Sequence, residues 1–148
     1  MKPTLTVIIP AYNEEGNIAN AVKTVCEAIG DRFADYEILL FDDGSADGTG
    51  EIADELARYD SYIKVIHNKP NKGFGYNYVK GVELAGMEYV GLIPGDNEIS
   101  GDSIAKIFSL VGKADIVAPY TVNTHIRPMS RRIISRLYTL AMNMLFGL

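Results

Sequence analysis

Leu39-Leu40-Phe41-Asp42-Asp43-Gly44-Ser45-Ala46-Asp47-Gly48-Thr49 is the stretch that decides how this chain folds. An apolar run carries two adjacent acids into a glycine-rich turn, and a helical pattern follows. In an open α/β sheet, ligands bind outside the carboxyl ends of the strands. Paired acids at such an end repel each other and add nothing to a core. They suit a site that holds a sugar, a base edge or a cation.

The same alternation extends in both directions. Leu5 to Ile9 is a β-branched apolar run stopped by Pro10, which predicts a strand buried on both faces. Glu37 to Phe41, Tyr62 to Ile66 and Tyr89 to Ile93 predict further strands, and Asp115 to Ala118 a short one. Between them, Asn13 to Ile29 carries Ile18, Ala21, Val22, Val25, Cys26 and Ile29 at helical spacing and ends at Gly30. Asp47 to Tyr59 places Ile52, Ala53, Leu56 and Ala57 on one helical face, with Asp47 as N-cap. Tyr76 to Ala85 and Ser103 to Val111 are also helical, and residues 68–75 form a loop. Alternating strands and helices predict an α/β fold, a mainly parallel sheet flanked by helices with right-handed crossovers. The reading divides the chain into a globular domain over 1–128 and a basic amphipathic helix over 129–148.

Charge and composition narrow the function classes. The 148 residues are enough for one domain with a real core, and the net charge of −5 argues against a general nucleic-acid binder. The charge is uneven. Asp115 is the last acid, so residues 1–115 carry −9, whereas the remainder carries Arg127, Arg131, Arg132 and Arg136 and no acid. Ile133, Ile134, Leu137, Leu140, Ala141, Met144 and Leu145 give the final helix an apolar face. A basic helix of this kind lies on a membrane surface or packs on its own domain. The apolar ending Met144-Leu145-Phe146-Gly147-Leu148 is expected to continue in a longer protein. No run reaches the ~18 apolar residues of a spanning helix. The single cysteine, Cys26, reads as a small buried apolar side chain in a reducing compartment.

Four acid or glycine clusters fall at predicted strand ends: Pro10-Ala11-Tyr12-Asn13-Glu14-Glu15, Asp42-Asp43-Gly44-Ser45, Asn71-Lys72-Gly73-Phe74-Gly75 and Pro94-Gly95-Asp96-Asn97-Glu98. In a parallel sheet these ends share one edge, so the clusters converge on one cleft. His67 and His125 read as structural or exposed, without a recognisable partner.

On these motifs the chain resembles the family 2 glycosyltransferases, whose GT-A fold is a Rossmann-like, nucleotide-diphospho-sugar transferase architecture. Val7-Ile8-Ile9-Pro10-Ala11-Tyr12-Asn13-Glu14 and Asp42 to Thr49 match the two opening motifs of that family. The stretch Arg127-Pro128-Met129-Ser130-Arg131-Arg132-Ile133-Ile134-Ser135-Arg136 looks more narrowly like the dolichyl- or polyprenyl-phosphate sugar synthases. The resemblance implies a UDP- or GDP-sugar donor. Pro10, Tyr12 and Glu14 would line the base and ribose pocket, with Phe41 and Asp43 on the nucleoside and Lys72 near phosphate. Asp96 would be the catalytic metal residue and Glu98 its companion, hard oxygen ligands for Mg²⁺ or Mn²⁺. The residue-level alternative is a turn with Asp96 and Asn97 satisfying backbone groups. The family's usual Asp-x-Asp is here Pro94-Gly95-Asp96, so one ligand is lost. The synthases' Arg near Thr121 is also missing, and Arg127 or Arg131 would have to replace it.

The implied reaction is metal-dependent inverting transfer at the cytoplasmic face of a membrane. A polyprenyl or dolichyl phosphate is the first choice of acceptor, a polysaccharide or other saccharide the second. A lipid phosphate is already an anion and needs no general base. That matters because only Asp102 and Asp115 follow Glu98, and both read as structural, as a cap and a strand edge. A degenerate nucleotide-binding or assembly domain stands as the reading from another class, and a homo-oligomer is open. A phosphoreceiver module fits less well, because receivers carry their paired acids after the first strand.

Overall fold

The computed structural model describes residues 2–120 and 129–146, and the side chains of all of these except 130–132 and 146. It divides into two compact units, Met1–Val117 and Ala118–Leu148.

The first unit is built on a sheet of four parallel strands: β1 (Thr4–Ala11), β2 (Asp35–Asp42), β3 (Ile63–His67) and β4 (Tyr89–Leu92). Their spatial order is β3-β2-β1-β4, so the direction of winding reverses between β1 and β4. That reversal opens a crevice at the carboxyl edge of the sheet. β1 is central and buried along almost its whole length, as its β-branched sequence requires. Side chains of β1 and β2 alternate between two faces. Leu5, Val7, Ile9, Ile38 and Leu40 face the main core with α1 (Ile18–Ile29), α2 (Thr49–Tyr59) and α4 (Gly101–Phe108). On the other face Ile8, Leu39 and Phe41 form a smaller cluster, and the crossover helix α3 (Phe74–Leu84) packs on β1 there. Register aligns Ala11 with Asp42, and Asp42 with His67, so the strand ends finish level.

Several helix limits differ from the sequence reading for physical reasons. α1 begins at Ile18, not Asn13, because Asn13 takes a left-handed φ of 55° and a turn follows on Glu14 O. α3 begins at Phe74, directly after Gly73, so two residues assigned to the loop are helical. The strand expected over Asp115 to Ala118 does not form. That segment pairs with none of the four strands, the nearby bridge between Val111 and Ala114 ends before it, and Asp115 is exposed.

In the second unit α5 (Met129–Phe146) is the long terminal helix expected from the sequence. Ile133, Ile134, Leu137, Leu140, Met144 and Leu145 on it are exposed. Among the described residues no helix is long and apolar enough to cross a membrane.

Candidate functional site

Three strand ends supply one cleft. The end of β1 contributes Pro10 and Ala11, the turn after it Tyr12 and Glu14, and the segment after β4 Pro94, Gly95 and Asp96. Asp43 enters from the end of β2, and Phe74 and Asn77 from the start of α3. The segment after β4 is laid along β1 by two further ladder bonds, Ile93 N–H to Ile8 O (3.0 Å) and Gly95 N–H to Pro10 O (3.0 Å). Tyr12 and Phe74 are both about half exposed and offer flat apolar faces. Of the residues expected at the site, Pro10, Tyr12, Glu14, Asp43 and Asp96 line this cleft together.

Asp43 is 3% exposed and is held as a carboxylate by a ring of donors. Its Oδ1 accepts from Asn68 Nδ2 (2.8 Å) and the Lys72 amide (2.9 Å), and its Oδ2 from the Gly73 amide (2.8 Å). Burial alone would raise its pKa, but these donors outweigh burial and hold it below the usual carboxylate range. Asn68 Nδ2 also reaches Asn77 Oδ1 (2.6 Å), which locks the buried Asn77 side chain beside Asp43. Asp43 thus presents a fixed negative acceptor to the cleft, suited to a ligand N–H or O–H.

The β1 and β2 turns are stitched to each other. Asn13 N–H donates to Ser45 Oγ (3.0 Å), and Asn13 Oδ1 accepts from the Ala46 amide (2.8 Å). Glu14 N–H donates to Thr49 Oγ1 (2.7 Å), and Glu15 Oε2 accepts from the Gly48 amide (2.8 Å). Asp47 accepts from the amide and hydroxyl of Thr49 at the start of α2, but the N-cap position expected for it is held by Gly48, because the helix starts one residue later than the sequence suggested. Asn13 is therefore a cross-loop brace.

Asp42 does not line the cleft. Its Oδ1 accepts from the Ser45 amide (3.0 Å), and its Oδ2 contacts His67 Nδ1 (2.8 Å). His67 Nε2 in turn meets Asp54 Oδ1 at 3.1 Å. His67 has two carboxylate partners, where the sequence pointed to none. Its partners come from β2 and from one turn into α2, a pairing that only the fold creates.

Asp96 lines the cleft, and its Oδ1 accepts from the Glu98 amide (3.1 Å). Glu98 is exposed and does not line the cleft. No group of three or more His, Cys, Asp or Glu among the described residues converges as a metal cage. Phe41 is wholly buried with Ile8 and Leu39, so it supports the site from beneath. Lys72 is exposed; its Nζ lies 3.3 Å from Tyr76 Oη and 4.6 Å from that ring's centre, away from the cleft lining. What Lys72 gives the site is its backbone N–H. Phe74 and Asn77 are cleft residues that the sequence reading missed; an earlier start for α3 would have pointed to Phe74, whereas nothing local marks Asn77. Thr121, His125 and Arg127 lie outside the described residues.

Residues 6–146 match the family model described as "Glycosyl transferase family 2". A glycosyltransferase of Bacillus subtilis called EpsJ, itself described as uncharacterized, is 34% identical over 100 residues, covering 68% of this chain and 28% of the relative. A polyprenol monophosphomannose synthase of Mycolicibacterium smegmatis is 42% identical over 78 residues, covering 52% of this chain and 28% of the relative. Among solved structures, Staphylococcus aureus TarS residues 1–349 superposes with a TM-score of 0.64 at 23% identity, covering 86% of this chain and 39% of that one. A Pyrobaculum calidifontis mannosyltransferase in complex with GDP-Man and Mn²⁺ gives a TM-score of 0.57 at 23% identity, covering 65% and 28%. These likenesses and the strand order identify the fold as GT-A. The chain spans about a third of the length of the curated relatives it matches.

Proposed function

The chain belongs to glycosyl transferase family 2, and on that premise we propose that its cleft binds the nucleoside diphosphate of a sugar donor for transfer to a polyprenyl phosphate. One observation carries the reading: Asp43 and Asp96, from two different strand ends, line a single cleft with an exposed aromatic face at Tyr12. Tyr12 stacks on the base, Asp43 accepts from a ring N–H, and Glu14 accepts from ribose hydroxyls, with Pro10 shaping the wall. The cleft is about 190 Å³, below the ~300–1,000 Å³ of complete small-molecule sites, which suits the nucleoside part of a donor.

A divalent cation fits the donor set at Asp96 and Glu98. Mg²⁺-type sites take one or two carboxylates and complete their shell with substrate phosphates and water. Asp96 keeps Oδ2 outside its bond to the Glu98 amide, and Glu98 is exposed. When bound, Mg²⁺ or Mn²⁺ supplies positive charge against the diphosphate. An oxygen of the acceptor phosphate would attack the anomeric carbon from the side opposite the diphosphate; the bond from that carbon to the diphosphate oxygen breaks, the nucleoside diphosphate leaves with its electron pair, and the centre is inverted. A phosphate acceptor needs no general base, in keeping with Asp102 in the first turn of α4 and an exposed Asp115, neither on the cleft. The identity with the polyprenol monophosphomannose synthase supports this acceptor. The exposed apolar residues of α5, in an acid-free basic segment, support work at the cytoplasmic membrane face.

The test is calorimetric titration of UDP and GDP, with and without Mn²⁺, into the wild type and Asp96→Ala. Metal-dependent binding of one nucleotide, lost in Asp96→Ala, is expected. Absence of binding by both would refute the donor site. Extraction of labelled sugar into polyprenyl phosphate then tests the acceptor, and label appearing only in saccharide would replace it with the second choice.

A further inference from the structure

We propose that His67 is a positioning residue for the donor cleft, acting as an imidazolium clamp that ties β3 to β2 and α2 and, through Asp42, fixes the turn carrying Tyr12 and Glu14. The inference rests on the reading that this cleft binds a nucleotide.

Geometry makes the first half of the case. Nδ1 of His67 lies 2.8 Å from Asp42 Oδ2, and Nε2 lies 3.1 Å from Asp54 Oδ1. An ionised carboxylate only accepts hydrogen bonds, and a neutral imidazole carries a single N–H. A neutral ring would set its bare nitrogen against an oxygen lone pair at one of these contacts. Both contacts are satisfied together only when both nitrogens carry protons. Asp42 from β2 and Asp54 from α2 are the charged groups that face the ring among the described residues. The ring side chain is 38% exposed, so it exchanges protons freely with solvent.

Connectivity makes the second half. Asp42 Oδ1 accepts from the Ser45 amide, Ser45 Oγ accepts from the Asn13 amide, and Asn13 Oδ1 accepts from the Ala46 amide. Asn13 sits at φ 55° between Tyr12 and Glu14, a conformation that its side-chain bond to the neighbouring turn holds in place. None of His67, Asp42 and Asp54 lines the cleft, so their influence passes through the position of the turn. The bond to Asp42 is the main cause that raises the His67 pKa above its ordinary value; burial opposes it and Asp54 adds to it. The clamp therefore opens as pH rises past a midpoint above the usual ~6.5.

The experiment titrates UDP and GDP with Mn²⁺ between pH 6 and 9 into wild type, His67→Gln and Asp54→Asn, and follows the His67 ring by NMR with and without nucleotide. In the wild type the dissociation constant should rise about fivefold across the His67 midpoint, a typical coupling between sites. His67→Gln should lose that rise, and Asp54→Asn, which does not alter the cleft lining, should shift it to lower pH while binding at pH 6 is kept. The nucleotide's own protonation is common to all three proteins and cancels in the comparison. By linkage, bound nucleotide should raise the His67 midpoint by the same factor. Identical pH profiles in the three proteins, or a His67 midpoint unmoved by nucleotide, would overturn the clamp while leaving the donor site intact. Absence of nucleotide binding at every pH would overturn the donor reading and the clamp with it.

Discussion

Gly81→Ala should destabilise the protein, although alanine is the better helix former. Gly81 is buried in α3, and a Cβ built there would sit 2.5 Å from Ile8 Cδ1, 2.7 Å from Cγ1 and 2.9 Å from Cγ2. Carbon atoms attract best at about 3.5–4.0 Å, so the closest contact is short by roughly 1 Å. Ile8 is wholly buried, and Leu39 and Phe41 share its cluster, so it has no free space to move into. Its branched side chain has few rotamers to exchange, and all three outer carbons are involved. The helix must lift off β1 instead. Overpacking of this kind costs about 1–3 kcal/mol, and contacts below 3.0 Å on three atoms argue for the upper end. The helix-propensity gain of Gly to Ala returns about 1 kcal/mol. The net is a loss of about 2 kcal/mol, or about 1 M in the urea midpoint for a slope near ~2 kcal/mol/M. Trimming Ile8 to Ala should cost less in the Gly81→Ala background than in the wild type, a coupling of about 1–2 kcal/mol. An unchanged or raised urea midpoint in Gly81→Ala would refute this packing of α3 on β1.

Other consequences are equally direct. Gly44→Ala places a Cβ 2.9 Å from the Asn71 amide nitrogen at a φ of 74°, so circular dichroism melts should show a loss of about 2 kcal/mol or more. Glu37 is buried under Thr6 Oγ1, the Gly86 amide and Lys64 Nζ; burial would raise its pKa, but these partners hold it below the usual carboxylate range. Its contribution is therefore present above the unfolded value of ~4.3 and fades as pH falls through the lower folded value. Glu37→Gln should be less stable than wild type at pH 7, with the gap closing towards pH 3 in denaturant titrations. Replacing Arg131, Arg132 and Arg136 together by Ala should reduce pelleting with anionic liposomes severalfold at low salt; equal pelleting would remove any role for those charges at a membrane.

The fold was legible because its signals are local and redundant. Leu5 to Ile9, Glu37 to Phe41 and Tyr89 to Ile93 are apolar runs broken by turn residues, and each lies within an observed strand or extends just past its end. Asp115 to Ala118 had the same apolar look without a partner, and a strand exists only where a ladder receives it. The cleft was partly legible for a related reason. Pro10, Tyr12, Glu14, Asp43 and Asp96 sit within a few residues of strand ends, and a parallel sheet brings such ends to one edge. Asn77 and the His67 pairings were not legible, since they depend on which side chains of α2 and α3 turn back over the sheet. Phe41 illustrates the opposite error. It lies inside β2, where its face of the sheet is filled by Ile8 and Leu39, and the cleft begins only beyond the strand's last residue, at Asp43.

The most direct test of the central claim is a crystal structure of this chain with Mn²⁺ and whichever of UDP or GDP binds, recorded at a wavelength where manganese scatters anomalously. The account predicts a manganese peak at the Asp96 carboxylate, the diphosphate beside it, and the base against Tyr12 with a ring N–H on Asp43. A nucleotide bound elsewhere, or manganese away from Asp96 with the nucleotide in place, would contradict it.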